Sequence, residues 1–234
     1  MGSVPSFSRS NSSPGSTAAP PTTNFQEATA LDLERHLEVF RYGAFDLTDA
    51  IRPALSLPIV PRQGFRHDCY SDDSAGVKVP VIMATASRER LFELFMDLID
   101  PLGQVVDVVI ETSHYGSDGA HQDLYREHID MPVLKSILYD YEELLLNDGC
   151  AGIAVLNPAK QQEVQFDEHK MMIIYGTPLE HYERILISHD VYIDPKIKFL
   201  TEAEHVHSSS EKYYDHLMQL AMRLAMRLGI DGIE

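Results

Sequence analysis

The chain has 234 residues, enough for one large domain or two small ones, and 36 acidic against 19 basic residues give it a formal charge of -17. So acidic a surface repels a phosphate backbone and disfavours nucleic acid as a partner. No apolar run approaches the roughly 18 residues of a membrane-spanning helix, the N-terminus lacks the apolar centre of a secretory signal, and Cys69 and Cys150 read as reduced thiols, with a single bridge between them the alternative. The expectation is a soluble, cytoplasmic protein with no membrane partner.

Residues 1–24 are mostly Ser, Pro, Thr and Gly with Arg9 the one charge. They have no periodic apolar face to offset the entropy of ordering, which predicts a disordered tail. Gly2 and Ser6 match the form of a myristoylation motif, but no polybasic patch supplies a second membrane signal. Residues 25–76 read as a helical segment followed by an extended connector. Leu33, Leu37 and Phe40 recur at helical spacing, and Gly43 stands where a left-handed terminator would. A shorter helix is expected in "DLTDAIRPAL". Pro53, Pro58, Pro61 and Gly64 then break the chain, which makes 52–76 the best-marked internal boundary.

Residues 77–234 alternate strands and helices. "VKVPVIMATA" (77–86) is a strand that Pro80 assigns to an edge or a bulge. Ser87 caps "RERLFELFMDLI", where Leu91, Phe95 and Leu98 lie on a wide apolar face with Phe92, Met96 and Ile99. "QVVDVVIETS" (104–113) is the next strand, and the tight strand-helix-strand sequence is compatible with a right-handed parallel crossover. "MPVLKSILYDYEELLLNDG" predicts one helix, capped by Asp130 with Pro132 in its first turn and ended by Asn147-Asp148-Gly149. "CAGIAVLN", "QEVQF" and "KMMIIYG" form a meander. Thr177 and Glu180 make a capping box with Pro178 at the first helical position, "KIKFL" adds an edge strand, and Ser208 to Glu211 repeats the capping-box spacing. In the last helix Tyr214, Leu217, Ala221, Leu224 and Leu228 mark the apolar stripe. The sum is an α+β domain with a mixed or mostly antiparallel sheet of about five strands and helices packed on it, including a long C-terminal amphipathic helix.

The stretch "SHYGSDGAHQDLYREHID" (113–130) spaces His114, His121 and His128 evenly among acids. On a helix His121 and His128 share a face but lie about 10.5 Å apart, whereas zinc holds each nitrogen at about 2.0–2.1 Å. The plainer reading is a polar segment running into the next helix. A metal site here needs a loop that gathers His114, His121, Asp123 and His128. In "EHVH", His205 and His207 point to one side about 6.8 Å apart if extended. With Glu202 or Glu204 as oxygen donors they supply half of a zinc site, and joining them to His114 or His121 is geometrically allowed. Cys69 has Arg66 and His67 to acidify it and Asp68, Asp72, Asp73 and, more distantly, Asp49 to oppose them. Glu142-Glu143 and Asp167-Glu168 read as solvated charge, the first on a helix where consecutive residues diverge, the second in a turn. No nucleophile elbow, phosphate loop or dinucleotide fingerprint is present.

The terminal helix carries Met218, Met222 and Met226 at four-residue intervals beside Arg223 and Arg227, a pattern that suits either core filling or an adaptable partner surface. The leading functional expectation is a non-catalytic protein-binding or regulatory module without a cofactor. It would dock through the sheet edge or this helix, prefer a basic protein partner, and be compatible with homo-oligomers. The alternative is a metal-dependent hydrolase in which His114, His121, Asp123, His128, His205 and His207 hold a divalent cation that acidifies water. A small-ligand sensor, which needs an apolar cavity, is the third.

Overall fold

The computed structural model describes residues 28–72, 76–114 and 122–228. The tail expected for 1–24, Gly2 and Ser6 within it, Asp73 and His121 lie outside the described residues. Thr29 caps α1 (Ala30–Leu37) by accepting from the Asp32 N–H. Three short strands follow, β1 (Arg41–Tyr42), β2 (Phe45–Asp46) and β3 (Ile51–Pro53). Gly43, with φ +66°, makes the turn between β1 and β2 and does not end a helix. The short helix expected in "DLTDAIRPAL" is instead a turn and β3, whose buried Ile51 packs with Phe45 and Leu47.

β4 (Gly64–Asp72), β5 (Val77–Thr85), β6 (Val105–Thr112), β7 (Gln122–Asp130), β8 (Ala151–Asn157), β9 (Gln162–Phe166) and β10 (Met172–Tyr175) join one sheet. β11 (His205–His207) pairs antiparallel with β3 in a separate ribbon, and the two-residue β12 (Arg227–Leu228) closes the edge of the large sheet. The order is β12-β7-β6-β8-β9-β10-β5-β4, with every pair antiparallel. The class is α+β as expected, but seven strands of four residues or more replace about five. The two unread strands lie at the sides of the sheet. β4 falls in the expected connector and β7 in the expected helix approach, and both are polar because a strand near an edge needs only a few core-facing residues.

Pro80 does not make β5 an edge strand, because β5 lies between β10 and β4. The Pro80 carbonyl accepts from the Gly176 N–H, so its missing N–H faces the end of β10 and costs the β4 ladder nothing. Nor do β5 and β6 form a parallel crossover, since β10, β9 and β8 stand between them.

One sheet face carries α2 (Arg88–Ile99), α3 (Met131–Tyr139), α4 (Glu142–Asn147), α5 (Glu180–Ser188) and α6 (Glu211–Arg223). Alternate residues such as Val106, Val108, Ile110, Ile153, Val155, Val164 and Phe166 meet Phe95, Leu98, Leu134, Leu138, Leu217 and Leu220 in one core. Each such side chain contributes roughly 1.5–3 kcal/mol of burial. The helix expected over 131–149 is two, because Asp140 and Tyr141 donate to Ile137 and Leu138 and tighten the chain into a turn. The Thr177 capping box does not form: the Thr177–Pro178 peptide is cis, and α5 starts at Glu180 after Leu179. "KIKFL" is not a strand, since Ile197 and Phe199 are buried in a loop that tightens into a turn at Leu200–Glu202.

Ser210, not Ser208, caps α6, because the Ser208 backbone is committed to Gly149 and Ala50. α6 ends at Arg223, which leaves Leu228 to β12. Of the methionine series, Met226 packs against the core, Met218 is partly buried, and Met222 is 70% exposed. Arg223 bonds Asp140 at 2.7 Å and covers the Tyr141 ring, while Arg227 is exposed on β12.

Buried Arg52 ties the N-terminal segment together by donating to the carbonyls of Leu37 (2.9 Å), Ile51 (2.8 Å) and Thr48 (2.5 Å). Replacing it with Met strands those carbonyls, and urea denaturation should show a loss of about 2–4 kcal/mol. A loss below about 0.5 kcal/mol would mean that water satisfies them instead.

Candidate metal centre

β9 and β10 are joined by a tight turn, Asp167 to Met171. The Lys170 N–H bonds the Asp167 carbonyl, the Asp167 carboxylate accepts from the Met171 N–H, and Lys170 adopts φ +61°. The turn lies across β8 at Gly152, where a Cβ would meet the Asp167 Cα and Glu168 N at 3.2 Å. Lys170 turns inward and donates from Nζ to the Ala151 carbonyl at 2.9 Å. Burial pushes its pKa down to about 8 against the pull of Asp148, Asp167, Glu168 and Cys150. Its neighbour His169 faces β11.

His205 and His207 are extended and share one side of β11, as their spacing implies, and His169 completes the group. The ring centroids form a near-equilateral triangle, 5.0 Å for His169–His205, 4.7 Å for His169–His207 and 5.0 Å for His205–His207. One ring nitrogen from each lies within 4.8 Å of the others. Every Nδ1 has an acceptor: the Asp167 carboxylate at 3.0 Å, the Ala203 carbonyl at 2.8 Å and the Gly149 carbonyl at 2.6 Å. Such an acceptor fixes the proton on Nδ1 and leaves the Nε2 lone pair for a ligand. Among the described residues no protein hydrogen bond engages the Nε2 atoms.

The electrostatics separate His169 from His207. For His169 burial opposes charge, but Asp167 and then Glu168 outweigh it and raise its pKa. For His207 burial dominates and lowers it. Asp167 stays ionised because His169, the Met171 N–H and Lys170 overcome its desolvation.

Directly behind His207 lies a second group. His114 Nε2 is 2.8 Å from Asp148 Oδ2, and the other Asp148 oxygen accepts from Ser209 Oγ at 2.6 Å and the Cys150 N–H at 3.0 Å. Asp148 has no exposed surface, and although burial pushes its carboxyl up, the His114, Ser209 and Cys150 hydrogen bonds hold it below the usual carboxylate range. Cys69 and Cys150 are both free thiols.

The expected six-residue set is therefore divided. His205 and His207 converge with each other, while His114 pairs instead with Asp148 in a separate group. His128, at φ +54°, sits toward the far end of β7 with its N–H on Asp107. Asp123 lies on β7 opposite Glu111 and accepts from the Tyr125 hydroxyl. Burial, followed by Asp123, Glu163, Asp167 and Glu168, raises Glu111 to about 7. Glu202 turns away from the histidines to Arg66 and Lys198. His169 and Asp148 are the residues that sequence reasoning missed. The signal for His169 was its place at the tip of a hairpin bracketed by two legible strands, and for Asp148 a carboxylate at a helix end between Asn147 and Gly149.

Glu202 positions β11 through the Phe199 N–H (3.1 Å), Arg66 (2.7 Å) and Lys198 (2.8 Å). Burial alone would raise its pKa, but the bonds from Lys198, Phe199 and Arg66 together lower it to about 2. A carboxyl depressed on folding stabilises the protein above its unfolded pKa near 4.5, and that contribution is lost as pH falls toward about 2. Glu202→Gln should therefore cost about 1 kcal/mol at pH 7, discounted for its partial exposure, and the gap from wild type should close by about pH 2. Urea midpoints across this range test it, and a gap that does not change with pH would sink the assignment.

No helix among the described residues is long and apolar enough to cross a membrane. Compared with protein-family models, curated proteins and solved structures, the chain matches none, so its own geometry is what the reading of this centre rests on.

Proposed function

We propose that the chain binds a divalent transition cation through Nε2 of His169, His205 and His207, and uses an open coordination position to activate water for hydrolysis. The observation that carries this reading is that all three imidazoles present their Nδ1 to a separate acceptor while their rings converge. Three imidazole nitrogens suit zinc, which displaces any proton from them and takes them at about 2.0–2.1 Å with a fourth, exchangeable ligand. Closing nitrogens now within 4.8 Å onto such an ion takes modest side-chain rotation. The bound cation would lower the pKa of its water, and the partly buried setting limits competition from bulk solvent.

The test is elemental mass spectrometry of untagged protein purified without chelator. At least one zinc, manganese or iron per chain is expected, with Asp167→Asn weakening zinc affinity at the three histidines about 10–100-fold through the loosened His169 ring. Absence of metal after incubation with each ion would end the proposal. The docking alternative draws support from exposed Met222 beside Arg223, but with Met226 packed inward that surface is a single side chain and not a stripe.

A further inference from the structure

We infer that His114, Asp148 and Cys150 form a second cation site, distinct in donor chemistry from the three imidazoles and taking a thiophilic divalent ion such as zinc or cadmium. This goes beyond the hydrolytic proposal and does not depend on it. One nitrogen, one carboxylate oxygen and one sulfur lie within 4.8 Å of one another. They come from two strand ends that are cross-linked at the same point: Thr112 Oγ1 and the Ser113 N–H both donate to the Cys150 carbonyl, at 3.0 and 2.9 Å. The His114 N–H in turn bonds Thr112 Oγ1, and the His114 ring packs 5.5 Å from that of Tyr214. The donors are thus held by backbone geometry before any ion arrives, which lowers the ordering cost of binding.

The donor set selects the ion. Thiolate with imidazole and carboxylate favours zinc over magnesium or calcium, which prefer oxygen alone. Oδ1 of Asp148 is fixed by Ser209 and the Cys150 N–H, so Oδ2 is the oxygen that faces His114 and would share the ion with its Nε2. Binding replaces the His114–Asp148 hydrogen bond with two metal bonds and forms a metal–sulfur bond. The thiol proton passes to solvent, and the proton between Nε2 and Asp148 is relocated to Nδ1, so that His114 ligates as a neutral imidazole. A nucleophilic cysteine is the competing use of the same residues, but among the described residues no hydrogen bond joins Cys150 to His114, as an activated thiol would require.

Cobalt(II) titration of the full chain distinguishes the two centres, because thiolate ligation adds a strong near-ultraviolet charge-transfer band that an all-imidazole site lacks. Two equivalents are expected, with Cys150→Ser and His114→Gln each abolishing the band and one equivalent, and His207→Ala removing the other equivalent while the band remains. A single equivalent without the band, or a band that survives Cys150→Ser, overturns the second site and leaves the imidazole reading standing. A band with one equivalent insensitive to His207→Ala overturns the imidazole reading alone. Should Cys150→Ser fail to fold, alkylation of the wild-type protein followed by mass spectrometry decides: zinc must protect Cys150 while exposed Cys69 stays reactive, and equal labelling overturns the inference.

Discussion

Gly149→Ala is expected to destabilise the protein by about 3–5 kcal/mol and to impair the metal centre with it. A Cβ at this position would stand 2.3 Å from the Ala50 carbonyl oxygen, 2.7 Å from the Ser208 oxygen and 2.9 Å from the Ser208 nitrogen. All three are backbone atoms, so no rotamer change relieves the clash. The same point carries the Gly149 N–H to Ser208 bond, the Ser208 N–H to Ala50 bond, both at 2.8 Å, and the His207 Nδ1 contact to the Gly149 carbonyl. Relief requires the β3–β11 ribbon to back away from the end of α4, which carries His205 and His207 away from His169. Urea denaturation and zinc titration of the variant read the two effects separately. A variant within about 0.5 kcal/mol of wild type that still binds zinc would refute the packing described.

The second large effect is His207→Ala, for which zinc affinity should fall by more than about 100-fold, beyond the range typical of losing a supporting hydrogen bond. Zinc at about 100 times the Kd of the three-histidine site should add about 2.7 kcal/mol through that site to the wild-type chain, and most of that increment should be lost in the variant while stabilisation through the Cys150 site persists. His205→Ala should lose affinity to a similar degree, but the two differ without metal. His207 holds Gly149 across the ribbon, whereas His205 bonds only Ala203 two residues away. His207→Ala should therefore be the less stable apoprotein, by about 1 kcal/mol. Competition with a chromophoric chelator gives the affinities, and unchanged affinity in both variants would remove β11 from the centre.

What was legible in the sequence follows from where each signal originates. The β8–β9–β10 meander and α2 were readable because their apolar periodicity faces a core on nearly every turn or pleat. β4 and β7 were not, because Arg66, Asp68, Asp123 and Glu127 carry no apolar alternation and their pairing is imposed by neighbouring strands. The extended His205–His207 pair was visible as an alternating spacing within three residues. Its third member, His169, was invisible as a partner because the hairpin turn and β11 meet only through sheet topology. Asp148 was hidden likewise, its burial arising from His114 and Ser209, which approach from opposite directions along the chain.

The meeting of Ala50, Gly149 and Ser208 has a kinetic consequence. These backbone positions are remote in sequence, so their junction closes two long loops, and loop closure delays contacts of high sequence separation. The β9–β10 hairpin that presents His169 is local and can form early, whereas the pairing of β11 with β3 waits on the long loop between Ala50 and Ser208. The histidine pair on β11 is thus fixed by the least local pairing in the ribbon, and zinc affinity at the proposed centre should be regained behind the bulk of the secondary structure during refolding.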